Sequence, residues 1–185
     1  MIIIWITWTI GAGKWTIVDY LVKEKDFQHF SVRAFLIQEI EKRGMIVNRD
    51  SMVIVANDLR GKHTPSYIVE QLYQQAKASK KNTIIESIRV VGEAEALKWK
   101  ENFMLFAIDA DPKIRYERIV IRGSETDKIS YDEFIANEER EMNNIDPSKQ
   151  NIAKCMQMAD YLFTNNGTFE ELHKQLEDVL NAFKI

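Results

Sequence analysis

The apolar run Met1-Ile2-Ile3-Ile4-Trp5-Ile6 leads into Gly11-Ala12-Gly13-Lys14, and no other feature constrains the fold as tightly. A buried strand that ends in a glycine-rich turn with a lysine, then enters a helix, is a way of holding phosphate. The glycines let backbone N–H groups close on the anion, the helix N-terminus adds positive potential, and Lys14 reaches the outer phosphates. The motif is G-x-x-x-x-G-K-[ST]. Here its first position is Trp8 and its last is Trp15, with Thr16 one place later, so two small positions are large. A ligand-free glycine-rich turn is the alternative. It does not call for a lysine at the loop's end, where the helix dipole disfavours cations.

Downstream, β-rich apolar runs alternate with helical patterns. Strands are expected at Met1–Trp8, Gln28–Val32, Asn82–Glu86, Phe103–Ile108 and Tyr161–Thr164. Helices are expected near Thr16–Lys23, Ala34–Arg43, Ser51–Lys62, Ser66–Ala78, Ala94–Glu101, Pro112–Arg122, Ser130–Met142 and Phe169–Phe183. Asp111-Pro112 reads as an N-cap before an N1 proline, and Ser130…Glu133 and Thr168…Glu171 read as capping boxes. The alternation predicts an α/β fold whose parallel sheet is covered on both faces, with ligands at the strands' C-terminal ends.

The 185 residues are read as one domain, with no linker, repeat or low-complexity stretch. A net charge of −3 argues against nucleic acid or an anionic membrane as the main partner. Cys155 stands alone, which excludes an internal disulfide and suggests a cytoplasmic setting. The N-terminal run lacks a basic flank and is too short to span a bilayer, so it reads as a core strand. His29, His63 and His173 lack metal-ligand spacing and are treated as structural or exposed. The N-K-x-D signature of switch GTPases is absent.

Four more segments follow the loop in order: Ser31-Val32-Arg33-Ala34-Phe35-Leu36, Ile84-Ile85-Glu86-Ser87-Ile88-Arg89, Arg118-Ile119-Val120-Ile121-Arg122 with Arg115 just before it, and Thr164-Asn165-Asn166-Gly167-Thr168. In this order the chain resembles the P-loop nucleotide kinases of the adenylate kinase and dephospho-CoA kinase group over nearly its whole length. The resemblance implies a three-layer kinase fold with a five-stranded parallel sheet. It also implies an acceptor-binding helical segment at about 33–78 and a short helical lid at about 122–142. Gly11, Ala12, Gly13, Lys14 and Thr16 would bind the donor's phosphates, and Asn165 and Gly167 its base. Arg33 and Arg89 would bind the acceptor. Glu86 stands where the D-G-F-P-R motif has its acid and would hold magnesium through water, with Thr16 as a second metal residue. Arg118 and Arg122, one helical face apart by four residues, would close on the transferred phosphoryl group with Arg140.

Bland readings stand beside several of these. Arg33 also fits a solvated helix start, Glu86 an ordinary strand end, the arginine pair a helix surface, and the 164–168 segment a plain turn. The segment around Arg33 carries Ala34 where the group usually has an Asp. Trp5, Trp8 and Trp15 fall where the group commonly carries glycine. Trp15 then places an indole near the β-phosphate and magnesium space. Trp8 predicts a turn forced apart, at about 1–3 kcal/mol per strained residue. Two classes of function follow. One is ATP- and Mg2+-dependent phosphoryl transfer to a small-molecule nucleotide acceptor, first a nucleoside monophosphate and next dephospho-CoA. The other is a nucleotide-binding or regulatory protein that no longer turns over.

Overall fold

The computed structural model describes residues 1–124, 127–144 and 149–184. Residues 125 and 126, inside the expected lid, lie outside the described residues. The elements run β1 (Ile3–Trp8), α1 (Lys14–Glu24), β2 (Gln28–Ser31), α2 (Val32–Lys42), α3 (Arg49–Lys62), α4 (Tyr67–Ser79) and β3 (Thr83–Glu86). They continue α5 (Val91–Lys98), β4 (Phe103–Asp109), α6 (Pro112–Arg122), α7 (Tyr131–Met142), α8 (Ile152–Gln157), β5 (Tyr161–Thr164) and α9 (Phe169–Ala182).

All five strands are parallel, in the order β2-β3-β1-β4-β5. The chain leaves β1 toward one edge and leaves β3 toward the other. The resulting switch point puts a crevice at the C-terminal ends of β1 and β3. Period-two alternation in β1 divides the core. Ile3 and Trp5 pack in one apolar cluster with α2–α5 and α8, and Ile4 and Ile6 in the other with α1 and α9. The α/β fold with a five-stranded parallel sheet is the expected one.

Trp5 is fully buried, and among the described residues its indole N–H has no hydrogen-bond partner. An unmet buried donor costs about 1–3 kcal/mol, offset by the area the ring removes from water.

Several boundaries differ from the sequence reading, each for a local reason. α1 starts at Lys14 because Gly13, at φ 95°, turns the chain directly into the helix. α2 starts at Val32 because the Ser31 side chain accepts from the amides of Arg33 and Ala34. α5 begins at Val91 and ends at Lys98; no side chain caps its start. α8 was not expected. The capping boxes at Ser130 and Thr168 and the Asp111 cap form as read. No described helix is long and apolar enough to cross a membrane.

Candidate functional site

The glycines of the loop are required where they stand. Gly11 takes φ 80°, and a Cβ there would strike the backbone carbonyl of Arg115. A Cβ on Gly13 would strike the Asn165 amide. Both walls are pinned in turn. Arg115 is buried and donates from Nε to the Ala110 carbonyl (2.7 Å) and from Nη1 to that of Ile10 (3.2 Å). Asn165 donates from Nδ2 to the Ala12 carbonyl at 2.8 Å. The sequence reading gave Asn165 to the donor's base. Its side-chain amide braces the loop, because the β5–α9 turn passes beside Ala12 and Gly13, and the residue also lines the cavity.

Neither Trp8 nor Trp15 adopts a positive φ. Trp8 closes β1 and Trp15 lies in the first turn of α1, so the expected forcing of the turn at Trp8 is corrected: an ordinary strand end accommodates it. A non-glycine residue near the site that takes a positive φ is Ser87, at 91°, directly after Glu86. A side chain in that region costs about 1–3 kcal/mol.

Lys14 is closely held. Its ammonium lies 4.0 Å from the centroid of the Trp8 ring and 4.4 Å from that of Trp15, and it pairs with Glu86 Oε2. His29 Nε2 stands 3.6 Å from the other carboxylate oxygen and has no hydrogen-bond partner among the described residues. Burial pushes the Glu86 carboxyl up, but the pairing with His29 and Lys14 outweighs it and holds the group at about 2. Burial pushes the Lys14 ammonium down, against the pull of Glu86. His29 was missed as a site residue. Ser31 pairs with Glu86 in the β2–β3 register, so His29 and Glu86 share a face of the sheet.

This cluster edges a cavity of 620 Å³ lined by the loop, Thr16, Arg118, Arg122 and the β5–α9 turn with Asn165 and Gly167. Arg118 has a buried Nη1 without a partner among the described residues. Arg122 is held by a two-pronged pair with Asp127, at 2.7 Å on each oxygen. That bond holds the Asp127 carboxyl at about 2. The α1 N-terminus lacks a side-chain cap. An uncapped helix N-terminus, a paired arginine and an unmet guanidinium donor around one space suit an anion with several oxygens.

Magnesium, which the resemblance implies at Glu86 and Thr16, does not fit Glu86 as it stands. Both Glu86 oxygens face nitrogen atoms, those of the Lys14 ammonium and His29, and Trp15 occupies the position after the lysine, while Thr16 lines the cavity. No group of three His, Cys, Asp or Glu side chains converges among the described residues.

A second cavity, also 620 Å³, lies beyond Trp8. Arg89 lines it, with its Cζ 4.8 Å from the Trp8 centroid. Arg89 Nη1 reaches Glu141 Oε2 and Gln150 Oε1, each at 2.9 Å. Arg140 also lines this cavity rather than the first, because α7 carries it beside Glu141; its Nε donates to the Ala136 carbonyl. Arg33 lines neither cavity. It is exposed on α2, with Nη1 3.7 Å from the Met52 sulfur. Arg60 and Glu93 complete the second cavity and were not singled out from sequence.

A five-stranded parallel sheet with a glycine-rich loop at its switch point defines a kinase-like P-loop fold. Among solved structures, a dephospho-CoA kinase from Campylobacter jejuni superposes with a TM-score of 0.59 at 16% identity, covering 98% of this chain and 96% of that one. A shikimate kinase from Bacteroides thetaiotaomicron gives 0.60 at 14%, covering 97% and 98%. The family model described as "AAA domain" matches residues 4–162. A UPF0200 protein of Methanococcus vannielii is 30% identical over 184 residues, 97% of this chain and 95% of that one. The chain belongs to the AAA domain family and to the UPF0200 family.

Proposed function

We propose that the chain is a phosphotransferase that moves the γ-phosphoryl group of ATP to a small phosphorylated acceptor, with a nucleoside monophosphate as first choice and dephospho-CoA as second. One observation carries this reading. The Lys14 ammonium and the Arg89 guanidinium approach the same Trp8 ring from two cavities, one suited to a polyphosphate and the other bearing an acceptor arginine. The chemistry needs a donor and an acceptor in line, with positive charge where the transferred oxygens sit.

In this reading the loop amides and Lys14 hold the donor, and Arg118 and Arg122 meet the charge of the moving phosphoryl group. Arg89 holds the acceptor. An unprotonated phosphate oxygen of the monophosphate forms a bond to the γ-phosphorus as the bond to the bridging oxygen of ADP breaks; a hydroxyl acceptor, as in dephospho-CoA, also releases its proton to solvent. Glu86 serves as the resting counter-ion of Lys14 and yields it to the incoming phosphate. A coupled ADP-release assay over nucleoside monophosphates and dephospho-CoA tests this. Turnover with one acceptor that is lost in Arg89→Ala supports it, and inertness with every acceptor counts against it.

A second reading has its own observation. The Trp8 indole stands between Lys14 and Arg89, where the two substrates would meet. In that case the chain binds nucleotide without transferring phosphate. The double variant Trp8→Gly/Trp15→Gly separates the two, since acceptor-dependent ADP release that appears only in the variant identifies the indoles as the block.

A further inference from the structure

The second cavity has a wall to which the proposed reaction gives no role. Arg60 on α3 and Glu93 on α5 meet there, with Nη2 and Oε1 3.0 Å apart. Glu93 is buried, and burial pushes its carboxyl up against the pull of Arg60. The backbone amides of Arg89 and Val90 lie beside it and favour its charged form. A single carboxylate therefore holds Arg60 and abuts the loop that carries Arg89. Burying a carboxylate is costly unless it is paired and hydrogen-bonded, and here both partners belong to one cavity wall.

Arg60 has five N–H donors, and the contact with Glu93 takes one. Its side chain remains 34% exposed. Arg89 is fixed in the same manner by Glu141 and Gln150. With Arg140 and Lys149 on the same walls, the lining cations outnumber the carboxylates, Glu93 and Glu141, among the described residues. Two guanidinium groups, each fixed by a carboxylate of the same cavity and with donors to spare, match the oxygens of a phosphate monoester. Arg33, by contrast, lies outside the cavity.

We infer that Arg60, in place of Arg33, is the second arginine gripping the acceptor's phosphate, and that Glu93 is the positioning residue that sets Arg60 and the Arg89 loop together. This rests on the phosphotransferase reading. The test is calorimetric titration of AMP, CMP, GMP, UMP, dTMP and dephospho-CoA, with the parent nucleosides alongside. ATP binding is measured on the same samples. For the tightest-binding monophosphate, Arg60→Ala weakens binding by about 10- to 100-fold, the range of a lost charged hydrogen bond, whereas the parent nucleoside changes by less than about twofold. Arg60→Lys recovers part of the loss. Glu93→Gln weakens the monophosphate with Arg60 present and has no further effect in an Arg60→Ala background, the coupling expected of a positioning residue.

Unchanged affinity in Arg60→Ala overturns the inference, as does an equal loss in Arg33→Ala. Either result leaves the phosphotransferase reading standing if Arg89→Ala still abolishes acceptor binding. A chain that binds ATP but none of the acceptors loses both the acceptor assignment and the inference. If Glu93→Gln or Arg60→Ala fails to fold, Arg60→Lys decides, because it keeps Glu93 paired while removing the fork.

Discussion

At the phosphate loop, Lys14 meets its carboxylate between two indole faces, and any ligand must take the ammonium from that cage. In the neighbouring cavity, Arg60 and Arg89 each meet a carboxylate of the cavity wall and keep further donors in hand. A lysine is a compact point charge that one partner can saturate, while a guanidinium can be fixed along one edge and still bind along another. The loop cavity is therefore closed by its own counter-charge, and the second cavity is pre-set by its own.

Breaking the cage at its centre should have the largest effect. Lys14→Met leaves Glu86 buried without its cation, a change that typically costs about 3–5 kcal/mol. Thermal melting should show a fall of several degrees, and ATP affinity should drop by about 100-fold. A variant that melts and binds as the parent does would end the cage account.

Opening the cage from its sides should act in the other direction. Each indole face holds the ammonium by about 0.5–2 kcal/mol. Trp8→Gly with Trp15→Gly should then raise ATP affinity by roughly tenfold or more, read by calorimetry. Weaker binding would mean that the indoles belong to the site.

Acid sharpens the same contrast. The Glu86 carboxyl is held at about 2 in the fold, below its ordinary 4.5. Its stabilising contribution is complete above 4.5, where folded and unfolded chains both carry the charge. As the pH falls from 4.5 toward 2 the unfolded chain takes up the proton first, and the contribution is lost. Glu86→Gln should be less stable at neutral pH and should lose less stability across that window than the parent. Parallel curves in denaturant melts would contradict the pairing.

The smallest effect lies at the junction of the two cavities. Ser87→Gly removes the Cβ from a residue at φ 91° and should stabilise the chain by about 1 kcal/mol after glycine's own entropy is counted. For a chain of this size that is a rise of roughly 2–4 °C in Tm.

The contrast between the cavities also explains what the sequence made legible. The donor loop is contiguous, so Gly11, Gly13, Lys14 and the helix that follows could be read together from their spacing. The central strands could be read because β1, β3 and β4 are short runs rich in buried apolar residues. α8, at only six residues, is too short for a helical period to show. The wall of the second cavity is assembled from pairs 33 residues apart (Arg60 and Glu93) and 52 apart (Arg89 and Glu141), and no local pattern marks either. Arg33 looked like an acceptor residue because it opens a helix after β2, but the helix turns it toward Met52. Asn165 looked like a base reader, and its bond to Ala12, 153 residues away, lies beyond any reading of its neighbours.

The most direct test of the cage is an ATP titration followed by tryptophan emission, with Lys14→Met measured in parallel. Trp8 and Trp15 flank the ammonium, while the buried Trp5 and the exposed Trp99 supply a steady background. The account predicts a saturable change in the parent chain that disappears in the variant. An equal change in both, or binding by equilibrium dialysis that leaves the emission untouched, would contradict it.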